Sequence, residues 1–464
     1  MLLFLQNLTT LWLLLFTSIL DPTAKTETKV PFLADAIVMQ RSSRQALRQV
    51  RQLRHRHRHQ DHCSLSRLAS SLSRDDAATK SAASAAVERL FHYYKDHPTD
   101  AATSDSASPT MWRCRTESVP YIQDQIDNIL FDCDGVLYQT TSPCPGASDC
   151  IRILMNTTKT VLFVTNNAGV NRIELREKLA TLLQIPELSI EQMVSSSYAS
   201  AQYLQKRLLP MTTAMPTTIT TKKKHATNMV PPPPPRVHVI GSSGLCEELE
   251  AVGFNVTRVA DEEEAAMTRA QLAHYDFHRY HPIDALVVGH DTAMTFRKLC
   301  IADNLLLFNP QAVFVATNKD AFDIVESAID KDDDEDDAGG IGRRRHIAGN
   351  GATVVALEYS SQRQSINVGK PSTELFELIQ QQQEKDDHKN EEEATLPPRM
   401  DPSRCLFVGD RLDTDIRFAK ENGMKSCLVM TGVTTAQSLI ELGPDGTEEE
   451  PLPDFIIPYV GMLV

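Results

Sequence analysis

The feature that most constrains this chain is a repeat of short apolar runs without polar alternation. Strands that are covered on both faces have this composition, because neither side of the strand meets water. Segments with the helical period lie between the runs, such as 172–183, 245–252 and 373–380. Buried strands that alternate with helices predict a parallel sheet and an α/β fold. The runs are Ile129–Phe131, Val161–Val164, Val237–Ile240, Ala285–Val288, Val313–Val315, Cys405–Val408 and Cys427–Met430.

Polar residues follow most of these runs directly. In an open parallel sheet, ligands bind just beyond the carboxyl ends of the strands, so these residues are the first candidates for chemistry. Three of the groups carry carboxylates. The groups are Asp132, Thr165-Asn166-Asn167, Gly241-Ser242-Ser243, Gly289-His290-Asp291, Thr317-Asn318 and Gly409-Asp410.

Composition excludes several classes of protein. The 464 residues include 61 acidic and 47 basic side chains, which gives a net charge of −14. An acidic chain of this kind is not expected to bind nucleic acid, because such binding depends on neutralising phosphates. The nine cysteines are odd in number and form no CxxC pair, which argues against a disulfide framework or a zinc module. We expect reduced and mostly buried thiols.

Residues 1–120 differ from the rest and predict a targeting leader followed by disorder. The run Leu11–Phe16 is typical of the apolar core of a signal sequence, and it is too short for a stable membrane span. Residues 36–60 contain seven arginines and no acidic residue, a composition typical of transit peptides. Together they suit import through the secretory pathway into an organelle such as a plastid. The alternatives are a disordered leader or a misplaced start codon, with a cytoplasmic enzyme.

Three further stretches interrupt the predicted fold. Residues 206–235 are rich in Thr and Lys and end in five consecutive prolines, which predicts a stiff polyproline segment. Residues 330–337 are almost entirely acidic, and residues 380–398 mix Gln with charged side chains. Blocks of this kind are usually solvated, so we expect insertions without a catalytic role.

Two carboxylates stand two residues apart after the first predicted strand. Asp132 and Asp134 are followed by Gly135, which allows a sharp turn. Two close carboxylates repel each other unless a proton or a cation lies between them, and Mg²⁺ is the natural partner of oxygen ligands. Further carboxylates follow another strand, in the segment 409–415. The pattern therefore predicts a magnesium site.

Groups that suit a phosphate follow other strands. Thr165 offers a hydroxyl, Asn166 and Asn167 offer backbone N–H groups, and Lys370 offers a cation. Pro371 favours the first turn of a helix directly after Lys370. The N–H groups at a helix start together with a lysine make a phosphate clamp.

These residues form four motifs in order along the chain. They resemble the motifs of haloacid dehalogenase-superfamily phosphatases, in the branch that holds phosphoglycolate, pyridoxal phosphate and 4-nitrophenyl phosphatases. The similarity runs from about Tyr121 to about Tyr459. It implies a Rossmann-like core with a parallel sheet and an inserted α/β cap domain. The motifs are Phe131–Tyr138, Thr165–Asn167, Val368–Ser372 and Val408–Ile416.

The resemblance also implies a role for each motif residue. Asp132 would be the nucleophile that receives the phosphoryl group, and Asp134 would be the general acid and base. The carboxylates of Asp132 and Asp410, with the main-chain carbonyl of Asp134, would hold Mg²⁺. Asp415 would orient the metal shell. The phosphoryl oxygens would be held by Thr165, Asn166, Asn167 and Lys370.

The long interval between the second and third motifs predicts the cap. We place the cap at 206–345, between core segments 121–205 and 346–464. Within it, the glycine-rich segment 241–244 is interpreted as a strand-to-helix turn and not as a phosphate loop. Relatives of this type often dimerise through the cap, so the resemblance also predicts a homodimer.

The expected activity is Mg²⁺-dependent hydrolysis of a small phosphorylated metabolite, with 2-phosphoglycolate as the leading substrate. Residues 317–320 resemble the specificity loop of phosphoglycolate phosphatases, and Asp323 stands where the pyridoxal branch has histidine. The alternatives are a broader phosphatase for pyridoxal, sugar or aryl phosphates, and a non-catalytic scaffold. Intact Asp132, Asp134, Lys370 and Asp410 oppose the scaffold.

Overall fold

The computed structural model describes residues 77–97, 109–209, 233–259, 267–326, 344–388 and 400–464. The predicted signal and arginine-rich segments lie outside the described residues, as do most of the three predicted insertions. Across the ranges just given, no helix combines the length and the apolar character that crossing a bilayer requires.

The larger sheet of the described chain has seven parallel strands, which confirms the predicted α/β fold class. The central strands are buried along most of their length, as their uninterrupted apolar runs predict. In the order of the sheet, the strands are β1 (Thr110–Met111), β16 (Phe455–Ile457), β15 (Lys425–Val429), β14 (Cys405–Gly409), β2 (Asn128–Phe131), β5 (Thr160–Thr165) and β6 (Met193–Ser195).

Helices cover both faces of this sheet. The predicted helix over 172–183 is present with the same limits, and the Asn171 side chain begins it by accepting a hydrogen bond from the Glu174 N–H. The remaining helices continue the alternation of strand and helix. The helices of this part are α1 (77–96), α2 (Arg115–Gln125), α3 (Ala147–Met155), α4 (Arg172–Leu183), α5 (Ser196–Leu208), α10 (Thr373–His388), α11 (Arg417–Glu421) and α12 (Ala436–Leu442).

The connections of the larger sheet create a crevice beside β2. From β2 the chain proceeds to β5 and β6 on one side, and it later returns to β14 on the other side. Phe131 at the end of β2 is in register with Val408 of β14. At such a reversal the loops leave the two strands in opposite directions and open a binding site. The first and fourth motifs therefore meet at one edge of the sheet.

A second sheet has five parallel strands, four of them within the interval predicted as the cap and one beyond its predicted end. Its strands lie in the order 366–367, 313–316, 285–288, 236–240 and 255–257, and the helix Ser243–Ala251 packs against α5 of the first part. The strand at 366–367 lies beyond residue 345, the predicted end of this domain, and the domain limits stay a prediction. The elements are β7 (Arg236–Ile240), α6 (Ser243–Ala251), β8 (Asn255–Thr257), α7 (Arg269–Ala273), β9 (Ala285–Val288), α8 (Phe296–Phe308), β10 (Val313–Ala316), α9 (Asn350–Ser361) and β13 (Ile366–Asn367).

Two antiparallel pairs complete the described strands. Strands β3 (Tyr138–Gln139) and β4 (Ser142–Pro143) form a small pair after the first motif. Strands β11 (Phe322–Glu326) and β12 (Arg344–Ala348) form a β-hairpin of the cap. The acidic insertion therefore connects the two strands of this hairpin.

Part of the stretch predicted to be disordered is folded. Helix α1 buries Val87, Leu90 and Tyr94 in an apolar cluster that also contains Leu412 and Ile416 of the fourth motif. The prediction failed here because Ala and Ser dominate the composition. The apolar side chains nevertheless recur at the spacing of one helix face, which is the signal that composition obscured. The face consists of Ala83, Val87, Leu90 and Tyr94.

The described cysteines agree with the expectation of reduced thiols. Eight cysteines lie within the described ranges and all are free, six of them buried. Burial raises the pKa of the Cys427 thiol well above its ordinary value, and the same holds for Cys133 between the two motif aspartates. Thiols of this kind are inert packing groups.

Candidate active site

The first and third motifs meet through a buried ion pair. Asp132 follows β2 and Lys370 follows β13, and both side chains are almost completely buried. The Lys370 Nζ donates to Asp132 Oδ1 at 2.6 Å and to Asp415 Oδ1 at 2.7 Å. Three residues far apart in sequence therefore share one ammonium group at the carboxyl edge of the sheet.

The loop after β14 holds the other two carboxylates. Asp410 Oδ2 accepts a hydrogen bond from the Val433 N–H at 2.7 Å. Asp415 Oδ2 accepts from the N–H groups of Asp410 and Arg411, at 3.0 and 3.1 Å. Asp415 thus uses both oxygens inside the protein, which agrees with a supporting role better than with direct metal binding.

Glycines give the Asp410 carboxylate its space. A Cβ atom on Gly432 would lie 1.9 Å from Asp410 Oδ2, and one on Gly135 would lie 2.4 Å from it. Gly135 also has a φ of +78°, in the left-handed region that favours glycine. Any larger residue at these positions would displace the carboxylate.

The charges of this cluster are not balanced by the protein. Among the described residues, Asp132, Asp410 and Asp415 bring carboxylate oxygens within 4.8 Å of one another, and all three are buried. The ammonium of Lys370 is the cation inside the cluster. Burial raises the pKa of the Asp132 carboxyl to about 7, against the lowering effect of Lys370, and raises that of Asp410 well above its ordinary value. A hard divalent cation fits this set of oxygen donors.

Asp134 lies beside this cluster, but its carboxylate is bound by a residue outside the cluster. Its Oδ2 accepts a hydrogen bond from the Tyr138 hydroxyl at 2.8 Å, and Lys178 lies over the Tyr138 ring at 3.9 Å. Burial raises the pKa of the Asp134 carboxyl, against the lowering effect of Lys178. The side chain is therefore free of the carboxylate cluster, as expected for a residue that would offer only its main-chain carbonyl to a metal.

The second motif lines the other side of the crevice. Thr165 Oγ1 accepts from the Asn167 N–H at 3.1 Å, which orients the turn after β5. The side chain of Asn166 is committed to the protein, because its Oδ1 accepts from the Lys370 N–H and its Nδ2 donates to Asp320 Oδ1, both at 2.8 Å. Of the predicted phosphate contacts, the one by Asn166 is thus left to its backbone.

The cap forms the opposite wall of a cleft of about 390 Å³. His290 Nδ1 lies 3.6 Å from Asp323 Oδ2 in this wall. Asn350 Nδ2 donates to the carbonyls of Val288 and Asn318 at 3.0 and 2.8 Å. The residues of this cap wall could not all be identified from the sequence alone, although His290 already stands at a predicted strand end. All the predicted site residues line this cleft: Asp132, Asp134, Thr165, Asn166, Asn167, Lys370, Asp410 and Asp415.

Asp320 belongs to the predicted specificity loop, and it also lines the cleft although it was not among the predicted catalytic, phosphate-binding or metal-binding residues. It follows β10 by a few residues, and burial raises the pKa of its carboxyl to about 6 against the lowering effect of Arg411. Cβ atoms on Gly349 and Gly351 would lie 2.2 and 2.8 Å from its carbonyl oxygen. The glycines flanking Asn350 therefore allow the cap segment around Asp320 to lie close to helix α9.

Two family models match this chain. Residues 129–255 match a model described as haloacid dehalogenase-like hydrolase, and residues 367–462 match a second model of the same hydrolase type. A p-nitrophenyl phosphatase from Archaeoglobus fulgidus has a similar fold, with a TM-score of 0.51, 21% identity and coverage of 73% of this chain and 97% of that one. This structural likeness shows the fold.

Curated relatives share most of their length with this chain. Phosphoglycolate phosphatase 1A, chloroplastic, of Arabidopsis thaliana is 29% identical over 357 residues, which cover 76% of this chain and 81% of the relative. The glycerol-3-phosphate phosphatase of Homo sapiens is 30% identical over 327 residues, or 70% of this chain and 84% of the relative. The chain therefore belongs to the haloacid dehalogenase-like hydrolases and is a phosphoric monoester hydrolase.

Proposed function

We propose that this enzyme hydrolyses 2-phosphoglycolate, with Asp132 as the nucleophile. The observation that carries the proposal is the position of Asp132, which is buried at the base of the cleft with Lys370 Nζ 2.6 Å from its Oδ1. An ammonium group at this distance can also neutralise the oxygens of an incoming phosphate. The chloroplastic relative supports the choice of substrate.

The reaction takes place in two displacements. A carboxylate oxygen of Asp132 attacks phosphorus, the new O–P bond forms, and the P–O bond to the leaving group breaks. Asp134 gives its proton to the departing alkoxide and then accepts a proton from the attacking water. The hydroxide oxygen bonds to phosphorus, the O–P bond to Asp132 breaks, and inorganic phosphate leaves. Splitting the hydrolysis in this way replaces one difficult step by two easier ones.

The remaining site residues would bind the phosphoryl oxygens and the metal ion. Lys370, the Thr165 hydroxyl and the backbone N–H groups of the second motif would bind the phosphoryl oxygens. The carboxylates of Asp132 and Asp410, with the Asp134 carbonyl, would hold Mg²⁺. The hydrogen bonds of Asp415 support this set of ligands, because they fix the loop that carries Asp410. When bound, Mg²⁺ would offset the repulsion between the nucleophile and the phosphate.

A hydroxylated leaving group is the second candidate. Asp323 is an acceptor for hydroxyl groups, whereas the imidazole of His290 beside it can donate a hydrogen bond to a carboxylate such as that of glycolate. The human relative named for glycerol-3-phosphate supports this alternative. The two residues thus favour different substrates, and a direct comparison decides between them.

The test is phosphate release by the full chain with Mg²⁺ on 2-phosphoglycolate, glycerol 3-phosphate, pyridoxal phosphate and 4-nitrophenyl phosphate. We expect the highest kcat/KM for 2-phosphoglycolate and no release by Asp132→Asn. Equal rates on all four esters would make the enzyme a generalist. Activity that survives in Asp132→Asn would contradict the assigned nucleophile.

We also propose that two copies pair through the cap. Two neighbouring cap helices, α8 and α9, expose apolar side chains that a second copy could cover, and Ser360 Oγ donates to Asp303 Oδ1 between them at 2.8 Å. The exposed fractions reach 69% for Phe296 and 81% for Tyr359. Sedimentation should give a dimer that Tyr359→Glu converts to a monomer; a wild-type monomer would contradict the pairing.

We further propose that the leader directs the enzyme to a plastid. The arginine-rich, acid-free segment 36–60 supports import, and so does the chloroplastic relative. A fluorescent protein fused after residue 76 should enter plastids. Retention of the fusion in the cytoplasm would contradict the proposal.

A further inference from the structure

Arg411 contacts both its own loop, in the fourth motif, and a residue of the cap. Its Nε and Nη2 donate to the two oxygens of Asp413, at 3.1 and 3.0 Å. Its Nη1 donates to the carbonyl of Phe322 at 2.9 Å, and its guanidinium lies 5.1 Å from the centre of the Phe322 ring. One side of the guanidinium thus faces the catalytic core, and the other faces the cap.

The partner of Arg411 in the cap is the first residue of the β11–β12 hairpin. The Phe322 ring also stacks on His346 of the opposite strand, with ring centres 4.0 Å apart and planes at 3°. Asp323 follows directly and reaches His290 in the wall of the cleft. The position of Phe322 therefore sets the position of the residues that would contact the leaving group.

The same cap segment is attached to the core on its other side. Asp320 accepts from Asn166 Nδ2 at 2.8 Å, and Asn318 Nδ2 donates to the Asn166 carbonyl at 2.8 Å. Asn166 belongs to the phosphate side of the cleft, whereas Arg411 adjoins the metal ligand Asp410. The segment 318–322 thus spans the cleft with one attachment on each side.

We propose that Arg411 is a positioning residue that couples the loop of the fourth motif to the β11–β12 hairpin, so that the cap wall is in place for the leaving group. The coupling rests on the phosphatase activity proposed above, and it does not depend on which ester is the substrate. A planar guanidinium can serve Asp413 and the Phe322 carbonyl at once because its donors point in fixed directions. A lysine can replace the charge but cannot make both contacts.

The chain offers a matched control for this arginine. Arg404 also forms a two-pronged ion pair, with the carboxylate of Asp127, at the surface of the core. It has the same chemistry and does not line the cleft. Arg404→Met therefore reports the effect of losing an arginine–aspartate pair without losing a contact to the cap.

Hydrogen exchange of the full chain tests the coupling without any turnover. In Arg411→Met and Arg411→Lys, we expect amides in 317–324 and 346–351 to exchange about tenfold faster than in wild type, as for loss of a charge-assisted hydrogen bond. Amides of β2 should keep their rate, and Arg404→Met should match wild type in the hairpin. Because no substrate is present, this result stands even if the proposed function fails.

Kinetics with 4-nitrophenyl phosphate supply the second readout. We expect KM to rise about tenfold in both Arg411 variants, while kcat stays within about threefold and the Mg²⁺ midpoint is unchanged. Faster exchange confined to 410–416, or a fall in kcat without a change in KM, would overturn the coupling and leave Arg411 as a loop residue. Faster exchange in β2 of both variants would also overturn it, because Arg411 would then stabilise the whole fold.

Discussion

Each of the two parallel sheets of this enzyme has a crevice at one edge, and the two crevices hold different charged side chains. In each sheet the order in which the strands are added reverses beside one strand, β2 in the core and β7 in the cap. The core crevice holds three carboxylates around Lys370. The cap crevice holds the buried Lys298, whose Nζ contacts Asp291 Oδ2 and the Ala293 carbonyl, both at 2.9 Å. The core crevice has excess negative charge, whereas the charged residues that line the cap crevice are Asp291, Lys298 and Arg258.

This difference shows that topology alone does not make an active site. Reversal of the strand order supplies a crevice in both sheets, because the loops on either side of it separate. Chemistry with phosphate and a divalent cation also needs charge that the protein leaves uncompensated. In the cap, Asp291 Oδ2 lies 2.9 Å from the Lys298 ammonium, so we expect the contribution of this contact to be structural. The two crevices can therefore be tested against each other.

The largest expected effect separates the two lysines. Lys370→Met should lower kcat by about 10²–10³-fold, because it removes the cation that would face the phosphoryl group in the proposed reaction. Lys298→Met should leave kcat/KM on 4-nitrophenyl phosphate within about threefold. Steady-state kinetics of both variants measure the contrast. Similar losses in the two variants would remove the distinction between the crevices.

Lys298→Met should instead act on stability. Removing one partner of a buried ion pair leaves the other charge uncompensated, which costs about 3–5 kcal/mol of unfolding free energy. The double variant with Asp291→Asn should recover part of this loss. Urea unfolding of the single and double variants checks the prediction, and additive losses would contradict a direct coupling between Asp291 and Lys298.

Helix α1 should be as important to the fold as a core helix. Leu90 is completely buried in the cluster with Leu412 and Ile416, so Leu90→Ala should cost about 2–5 kcal/mol. Glu88→Ala is the control, because Glu88 lies on the exposed face of the same helix. Thermal unfolding of both variants measures the difference. Equal melting temperatures would show that the docking of this helix adds nothing.

The unbalanced charge of the core crevice has a testable sign. Asp410→Asn removes a buried carboxylate that neighbours two others, so in EDTA it should stabilise the protein by about 1 kcal/mol or more. The same variant should lose most of the stabilisation that Mg²⁺ gives to wild type. Melting temperatures with EDTA and with Mg²⁺ provide both numbers. A variant that is less stable in EDTA would mean that the crevice is already balanced.

The smallest effect concerns pH and lies outside both crevices. Although burial acts in the opposite direction, hydrogen bonds from Ser426 and the charge of Lys420 lower the pKa of Asp454. Because this pKa is lower in the folded state, Asp454 stabilises the protein at neutral pH and loses that effect as pH falls through its folded pKa. Asp454→Asn should cost about 1 kcal/mol at pH 7 and progressively less below pH 4. Unfolding curves across this range measure the trend, and a constant difference would contradict it.

The core and its motifs could be predicted because the signals are local. The apolar run 129–131 with Asp132 directly after it indicates a buried strand and its chemistry in a single stretch of sequence. The pairing of His290 with Asp323 could not be predicted, since it depends on a β-hairpin whose strands are separated by the acidic insertion. The hydrogen bonds of the Asn166 side chain to Asp320 and to the Lys370 N–H could not be predicted either, because these partners are about 150 and 200 residues away.

The docking of helix α1 also bears on how the protein matures. Its apolar face completes a cluster that holds the turn Leu412–Ile416, which carries Asp415. If the proposed leader is removed, a cut before residue 77 keeps this cluster intact. A cut between 97 and 109 would release the helix and uncover Leu439 and Ile456 to water. The part of the chain that supports the fourth motif thus includes α1, well upstream of Asp132.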